Sequence, residues 1–310
     1  MENFHEPVLL EESIAALNIR DGLVYVDATL GGGGHTRAIL NTGKKIKLIS
    51  FDQDEAAIEH CRNSFGENYD NLTLIHDNFS NFWTGVALQK IKKIDGILFD
   101  LGVSSYQINE PERGFSFSLD GKLDMRMNNK SERTAYEIVN KFTYEELKKI
   151  FFEYGEERES SRIAKGIIKE RESKNIQTTL ELADIIDRYT FSHQKLKAKA
   201  RIFQAIRIYL NDEINVLTTA LNDAVKILNP GGRLAVISYH SLEDRIVKQL
   251  LRFQEKVCIC PPSFPQCVCN KKSTLRILTK KPITPKQEEI ARNSRARSAK
   301  LRIAEKKEVE

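Results

Sequence analysis

Four consecutive glycines at positions 31–34 stand between an apolar run that closes on Asp27 and a helical stretch that begins at His35. A turn of this composition lets a ligand come close to the backbone and aims the amides of a helix start at it. By itself such a turn is also an ordinary structural bend, so its neighbours matter. Asp52 follows about 20 residues on, at the end of the next apolar run, where a carboxylate can accept hydrogen bonds from ribose hydroxyls. Asp100 closes the fourth apolar run. Three acids at the carboxyl ends of parallel strands make a rim suited to a ribose-bearing cation, and S-adenosylmethionine, with its sulfonium and amino groups, is such a ligand. A dinucleotide would ask the turn to hold an anionic pyrophosphate. The segment 31–36 also departs from G-x-G-x-x-G/A by placing Thr36 at the last position. No G-x-x-x-x-G-K-[ST] occurs, which excludes a P-loop. The acidic rim tilts the choice toward the sulfonium donor, with a dinucleotide-dependent oxidoreductase as the rival.

These residues need a scaffold, and the chain shows a βα alternation interrupted once. Strands are expected at 23–28, 46–52, 72–76 and 94–100, each short, apolar and separated by helical sequence, as in a doubly wound parallel sheet. From about 134 the pattern turns to charged helical periodicity, and an all-helical domain over 133–200 is expected as an insertion between core segments 1–132 and 201–310. A long helix over 203–228 is expected to stop at Asn229-Pro230-Gly231-Gly232, before a strand at 233–239. Candidates at 275–279 and 299–304 would pair as an antiparallel edge.

Composition is that of a globular protein, with 41% hydrophobic and 29% charged residues. No apolar run approaches the ~18 residues that span a bilayer, and the first residues lack a signal-peptide pattern. A cytoplasmic location without membrane contact is expected. The net charge of +5 is unevenly spread, because residues 270–310 carry 13 Lys/Arg against 5 Asp/Glu. A basic tail on a near-neutral body suits a polyanion such as nucleic acid; a solvated basic helix face is the alternative. Four of the five cysteines form the pairs Cys258-x-Cys260 and Cys267-x-Cys269 around PPSFPQ. They suit a tetrahedral structural zinc site or a set of reduced thiols, with a redox role as the third option. A disulfide framework is not expected.

Longer motifs carry a resemblance. HEPVLLEE at 5–12, DATLGGGGHT at 27–36, FDQD at 51–54 and DGILFDLGVSSYQ at 95–107 are followed by RGFSF at 113–117, LDMRM at 123–127 and YGEE at 154–157. FQAIRI at 203–208, SYHSLEDR at 238–245 and RARSAKLR at 295–302 complete the set. On these segments, which run nearly end to end, the chain resembles the bacterial 16S rRNA (cytosine-N4)-methyltransferase family. The resemblance implies a class I methyltransferase (Rossmann-like) core with an inserted helical domain. It implies donor contacts at Gly33, Gly34, His35, Asp52, Phe79, Asp100 and Gln107, and a decoding-centre cytosine of 16S rRNA in the small ribosomal subunit as substrate. No obligate protein partner is implied. Lys122, Tyr239 and Ser294 depart from the usual pattern; none is one of those contacts.

The chemistry then sets requirements. Cytosine N4 is a poor nucleophile because its lone pair is delocalised into the ring, so a hydrogen-bond acceptor must localise that pair and aim it in line with the departing sulfur. Neither metal nor covalent intermediate is needed. Asp100 is expected to orient the donor or accept from N4, with Ser104 and Ser105 shaping the pocket. Where related amine methyltransferases carry D/N-P-P-aromatic, this chain reads Asp100-Leu101-Gly102-Val103, so Tyr106, Phe115 or Phe117 would have to stack on a flipped base. His240 either contacts the base or its phosphate, or is a structural histidine. RGFSF and LDMRM are expected to form a loop over the pocket, offering Arg113 and Arg126 to phosphates or pairing them with Asp120 or Asp124. In the tail Arg295, Arg297 and Arg302, with Arg292 and Lys300, are candidate RNA contacts. A non-catalytic RNA-binding assembly factor is the rival in another class, separated by donor binding and label transfer.

Overall fold

Apolar residues occupy successive positions of the central strands rather than alternate ones, and this requires cover on both faces of the sheet. The computed structural model describes residues 7–66, 70–261, 264 and 266–308. His5 and Glu6 of the first motif, and Pro262, Ser263 and Pro265 between the cysteine pairs, lie outside the described residues. Seven strands, β1 Val24–Asp27, β2 Lys47–Asp52, β3 Leu72–His76, β4 Ile94–Asp100, β5 Leu228–Ser238, β6 Leu275–Ile277 and β7 Lys300–Lys306, form one sheet in the order β3-β2-β1-β4-β5-β7-β6. The first five are parallel, and β7 runs antiparallel to both β5 and β6. The doubly wound parallel sheet and its antiparallel edge are therefore as the sequence predicts. Val26, Ile49, Phe51, Ile97, Phe99, Leu234 and Val236 fill one face. Their neighbours Tyr25, Leu48, Leu98, Ala235, Ile237 and Leu301 fill the other.

Two expectations change. The run Asn229-Pro230-Gly231-Gly232 does not precede the fifth strand but lies inside it. Ile94 pairs with Leu228 and Gly96 with Arg233, so two steps on β4 face five on β5. Pro230 has no amide to donate, and Gly231 takes φ +79, which lets the extra residues loop out. Asp95 ties the irregularity down: its Oδ1 accepts from Asn229 Nδ2 at 2.8 Å and its Oδ2 from Val24 N at 3.0 Å. The long helix expected over 203–228 is broken into Lys195–Leu210 and Glu213–Ile227. Asn211 at the break gives its side chain to the chain segment before it, donating to Met125 O at 2.9 Å and accepting from Met127 N at 2.8 Å. Asp212 follows at φ +50.

The chain divides into two compact units, Met1–Gly102 with Val216–Glu310, and Val103–Asn215. The helical stretch 133–200 falls within the second. Three of its helices start on reciprocal caps, Thr134 with Glu137, Thr143 with Glu146 and Thr178 with Glu181. Ile138, Leu147, Phe151, Ile163, Leu182 and Ile206 are buried among them. Phe115, Leu123, Met125 and Met127 join that core, so RGFSF and LDMRM are anchored inside the helical unit. No helix among the described residues is long and apolar enough to cross a membrane.

In the first unit, the helix Ser241–Glu255 is bound to β7 by a forked pair: Arg302 donates to Asp244 Oδ1 at 2.7 Å and Oδ2 at 3.2 Å. Arg302 is 7% exposed. Asp244→Ala would strand that guanidinium and is expected to cost ~3–5 kcal/mol in urea unfolding. A loss under ~1 kcal/mol, the worth of a surface pair, would show that this is not a structural tie.

Candidate active site

β1 pairs with β2 on one side and β4 on the other, all parallel, so the chain leaves β1 at the place where strand order reverses and a crevice opens beyond the carboxyl ends. Asp27, Asp52 and Asp100 are the last residues of these three strands. The glycine turn runs from β1 into the helix Gly34–Leu40, with Gly34 and His35 its first residues. Gly33 sits at φ +77, and a Cβ there would come within 2.8 Å of Cys61 Sγ, so any other residue would be strained and crowded. The turn is pinned to β2 by two of its amides. Gly31 N donates to Asp52 Oδ2 at 2.8 Å, and Leu30 N to Phe51 O at 2.8 Å.

Asp52 Oδ1 accepts from Asp54 N at 2.9 Å. Each oxygen thus takes one backbone amide and keeps further acceptor capacity. Burial pushes this carboxyl up to about 6, against the pull of the two amides and with help from Asp54 and Asp27. Asp27 is fully buried and spent within the protein: it accepts from Thr29 N at 3.1 Å and Thr36 Oγ1 at 2.7 Å, and Thr36 also meets Ser50 Oγ at 2.7 Å. Thr36, the residue that breaks the dinucleotide pattern, is therefore a strut between β1, β2 and the helix.

Asp100 is held by three residues. Its amide donates to Thr29 Oγ1 at 2.6 Å, its Oδ1 accepts from Tyr239 OH at 2.7 Å, and its Oδ2 lies 3.5 Å from His35 Nδ1. The opposite nitrogen of His35 is 3.2 Å from Val8 O, a pure acceptor, so Nε2 carries hydrogen. Nδ1 then faces the Asp100 carboxyl. Burial pushes Asp100 up to about 6, opposed by His35 and by the Tyr239 hydroxyl, while Asp27 and Glu243 push the same way as burial.

The remaining expected residues divide by unit. In the first, Phe79 opens a short 3-10 turn after β3, half-buried, with its ring edge-on to Phe99 at 5.7 Å between centroids. His240 caps the helix Ser241–Glu255, its Nδ1 accepting from Glu243 N at 3.4 Å. Arg297 is exposed and Arg295 half-buried, both on the 3-10 turn Ser294–Ser298 before β7, while Arg302 is engaged with Asp244. The four clustered cysteine sulfurs lie within 4.8 Å of one another. In the second unit, Ser104 and Gln107 form a reciprocal cap on the helix Ser105–Asn109, at 3.1 and 3.2 Å. Arg113 is buried and donates to the carbonyls of Arg126 and Met127 at 3.0 and 3.2 Å. Arg126 makes a forked pair with Asp124 at 2.9 and 2.6 Å, the internal pairing the sequence left open.

Sequence reasoning missed Tyr239 as a partner of Asp100, and Thr29 with it. The register Asp100–Ile237 places the residue after the β5 tip beside Asp100, so a tyrosine two positions past Ile237 was the available signal. Asp52 and Asp100 both sit above the ordinary carboxylate value of 3.8 in the fold. These two groups therefore hold more protons in the fold than in the unfolded chain between 3.8 and about 6, and their own contribution to stability falls as pH rises through that window. Asp52→Asn and Asp100→Asn should each flatten the decline in a pH series of urea unfolding. Tyr239→Phe, which removes a donor to Asp100, should move the upper limb to higher pH. An unchanged profile in all three would refute the assignment.

Residues 2–307 match the MraW methylase family. The ribosomal RNA small subunit methyltransferase H of Finegoldia magna is 48% identical over 310 residues, covering 99% of both chains. The protein of that name from Caldicellulosiruptor saccharolyticus is 50% identical over 304 residues, 97% of this chain and 99% of its own. A solved rRNA methylase from Streptococcus thermophilus, 14% identical, aligns over 96% of this chain and 93% of its own with a TM-score of 0.41. An end-to-end family match, with a glycine turn and three acids at the tips of a 3-2-1-4-5-7-6 sheet, leaves one conclusion: the chain belongs to the MraW methylase family, on a class I, Rossmann-like methyltransferase fold.

Proposed function

We propose that the chain transfers the methyl group of S-adenosylmethionine directly to the exocyclic N4 amine of a decoding-centre cytosine in 16S rRNA, within the small ribosomal subunit of the cytoplasm. Asp52 carries the reading: a carboxylate at a strand tip beside a glycine turn, with spare acceptor capacity on both oxygens and no cationic partner among the described residues. Near-half identity over the full length to proteins named as methyltransferases of small-subunit rRNA supports the substrate class.

S-adenosylmethionine supplies an electrophilic methyl group on a cationic sulfur. The residues have separate tasks around it. Asp52 accepts the ribose hydroxyls, and Gly33 and Gly34 let the ligand lie against backbone. Phe79, with one edge fixed on Phe99, offers the rest of its ring to adenine. His35 completes the donor contacts that the family resemblance implies for this unit. Asp100 accepts a hydrogen from N4, localising the nitrogen lone pair, and takes up the proton the amine sheds; its position is fixed beforehand by Thr29 and Tyr239. Ser104 and His240 each cap a helix, and His240 is a candidate contact to the base.

For the RNA, Arg297 is exposed and Arg295 half-exposed, and both are proposed to meet phosphate. Arg113, Arg126 and Arg302 are engaged within the protein, so their part is to hold its structure rather than reach out.

Asp100→Ala is expected to lose at least ~100-fold in transfer of labelled methyl to small-subunit rRNA, with the far-UV spectrum unchanged. Near-normal turnover would overturn its role. Absence of any transfer by the unaltered chain, with RNA binding retained, would favour the assembly-factor reading. Arg297→Ala should reduce the slope of log affinity against log salt by ~1. Equal slopes would remove it from the interface.

A further inference from the structure

The segment between the helix Ser241–Glu255 and β6 has no regular structure among its described residues and no core of its own. Val257, Ile259, Phe264 and Val268 are 69%, 49%, 50% and 65% exposed, so its apolar side chains bury little. A connection this long needs something other than hydrophobic packing to give it one shape. At its far end Thr274 is fastened to Gln254, backbone to backbone at 2.9 Å and side chain to side chain at 2.7 Å. Within it, the sulfurs of Cys258, Cys260, Cys267 and Cys269 converge, all within 4.8 Å of one another. Cys267 Sγ is 3.5 Å from Cys269 Sγ, which is 3.8 Å from Cys258 Sγ. Four sulfurs at the corners of a tetrahedron around an ion 2.3 Å away would stand about 3.8 Å apart.

Backbone amides point at the same sulfurs. Ile259 N donates to Cys269 Sγ, Cys260 N to Cys258 Sγ and Val268 N to Cys260 Sγ, each at 3.4 Å. Donors placed this way stabilise thiolate over thiol, and they cross-link the two halves of the segment: the residue inside each Cys-x-Cys pair gives its amide to a cysteine of the other pair. All four cysteines are free thiols and at least partly exposed, so an ion can reach them.

We propose that Cys258, Cys260, Cys267 and Cys269 bind one Zn²⁺ as a closed tetrathiolate site whose role is structural. All-sulfur ligation selects zinc over the oxygen-seeking cations, and four protein ligands leave no open position for chemistry. On binding, the thiols release their protons and the ion takes the place of a core for this segment. The site is independent of the methyl-transfer reading.

The full-length chain, purified without chelator or added metal, should hold about one zinc per chain by mass spectrometry of the metal. Cys260→Ser with Cys267→Ser should bring this to background. Replacement by Co²⁺ should give the intense sulfur-to-metal charge-transfer bands of tetrahedral thiolate ligation. Stripping the ion with a mercurial should speed proteolytic cutting within 256–274 by more than ~10-fold while the far-UV spectrum of the rest is kept. Zinc under ~0.2 per chain with no cobalt charge-transfer band would overturn the proposal, as would full zinc content in the double variant.

Discussion

Carboxylates at the tips of neighbouring strands resist being placed together, and this chain places three of them there. Removing a charge from water is costly unless hydrogen-bond donors answer it, and like charges nearby raise the cost. The structure answers each acid differently. Asp27 is answered by the Thr29 amide and the Thr36 hydroxyl, Asp52 by the amides of Gly31 and Asp54, and Asp100 by a phenol and an imidazole. Much of the local architecture serves these answers. The glycine turn must bend so that Gly31 presents its amide to β2. The end of β5 must bring Tyr239 to β4, and the helix after the turn must hold His35 between Val8 and Asp100. A cationic ligand in the crevice would relieve what the protein leaves unbalanced, which is why the same acids that burden the fold suit a sulfonium donor.

The parts of this arrangement that were legible in the sequence are those with a strong local signature. Strands β1 to β4 read clearly because each is an apolar run ending in a polar residue, and the antiparallel pair near the end of the chain read from its alternation. Asn229-Pro230-Gly231-Gly232 looked like a stop because proline and glycine usually are; only the register against β4 shows it as a bulge within a strand. The break at Asn211 was hidden because its cause lies far away in sequence, at Met125 and Met127. Tyr239 looked like a bystander for the same reason, since its partner is more than a hundred residues earlier. Spacing grouped the cysteines, but only folding shows that amides converge on their sulfurs.

Arginines teach a related lesson about charge. The basic tail and the motif arginines suggested a ready polyanion-binding surface. Yet Arg302 is forked onto Asp244, Arg126 onto Asp124, and Arg113 onto backbone carbonyls. Planar guanidinium groups are well suited to such internal forks. Some motif-bearing arginines thus build the protein itself, while Arg297 stays exposed.

The position of β7 has a consequence for synthesis of the chain. It lies between β5 and β6 and supplies the antiparallel partner for Arg233 to Ser238, yet it comes after every other strand in sequence. Until residues 300–306 emerge from the ribosome, β5 presents a bare row of amides and carbonyls flanked by apolar side chains, the kind of edge on which chains stick to one another. A nascent copy therefore passes through an adhesive stage that ends only when its closing strand zips in, so translational pausing shortly before that strand would be the moment of greatest risk.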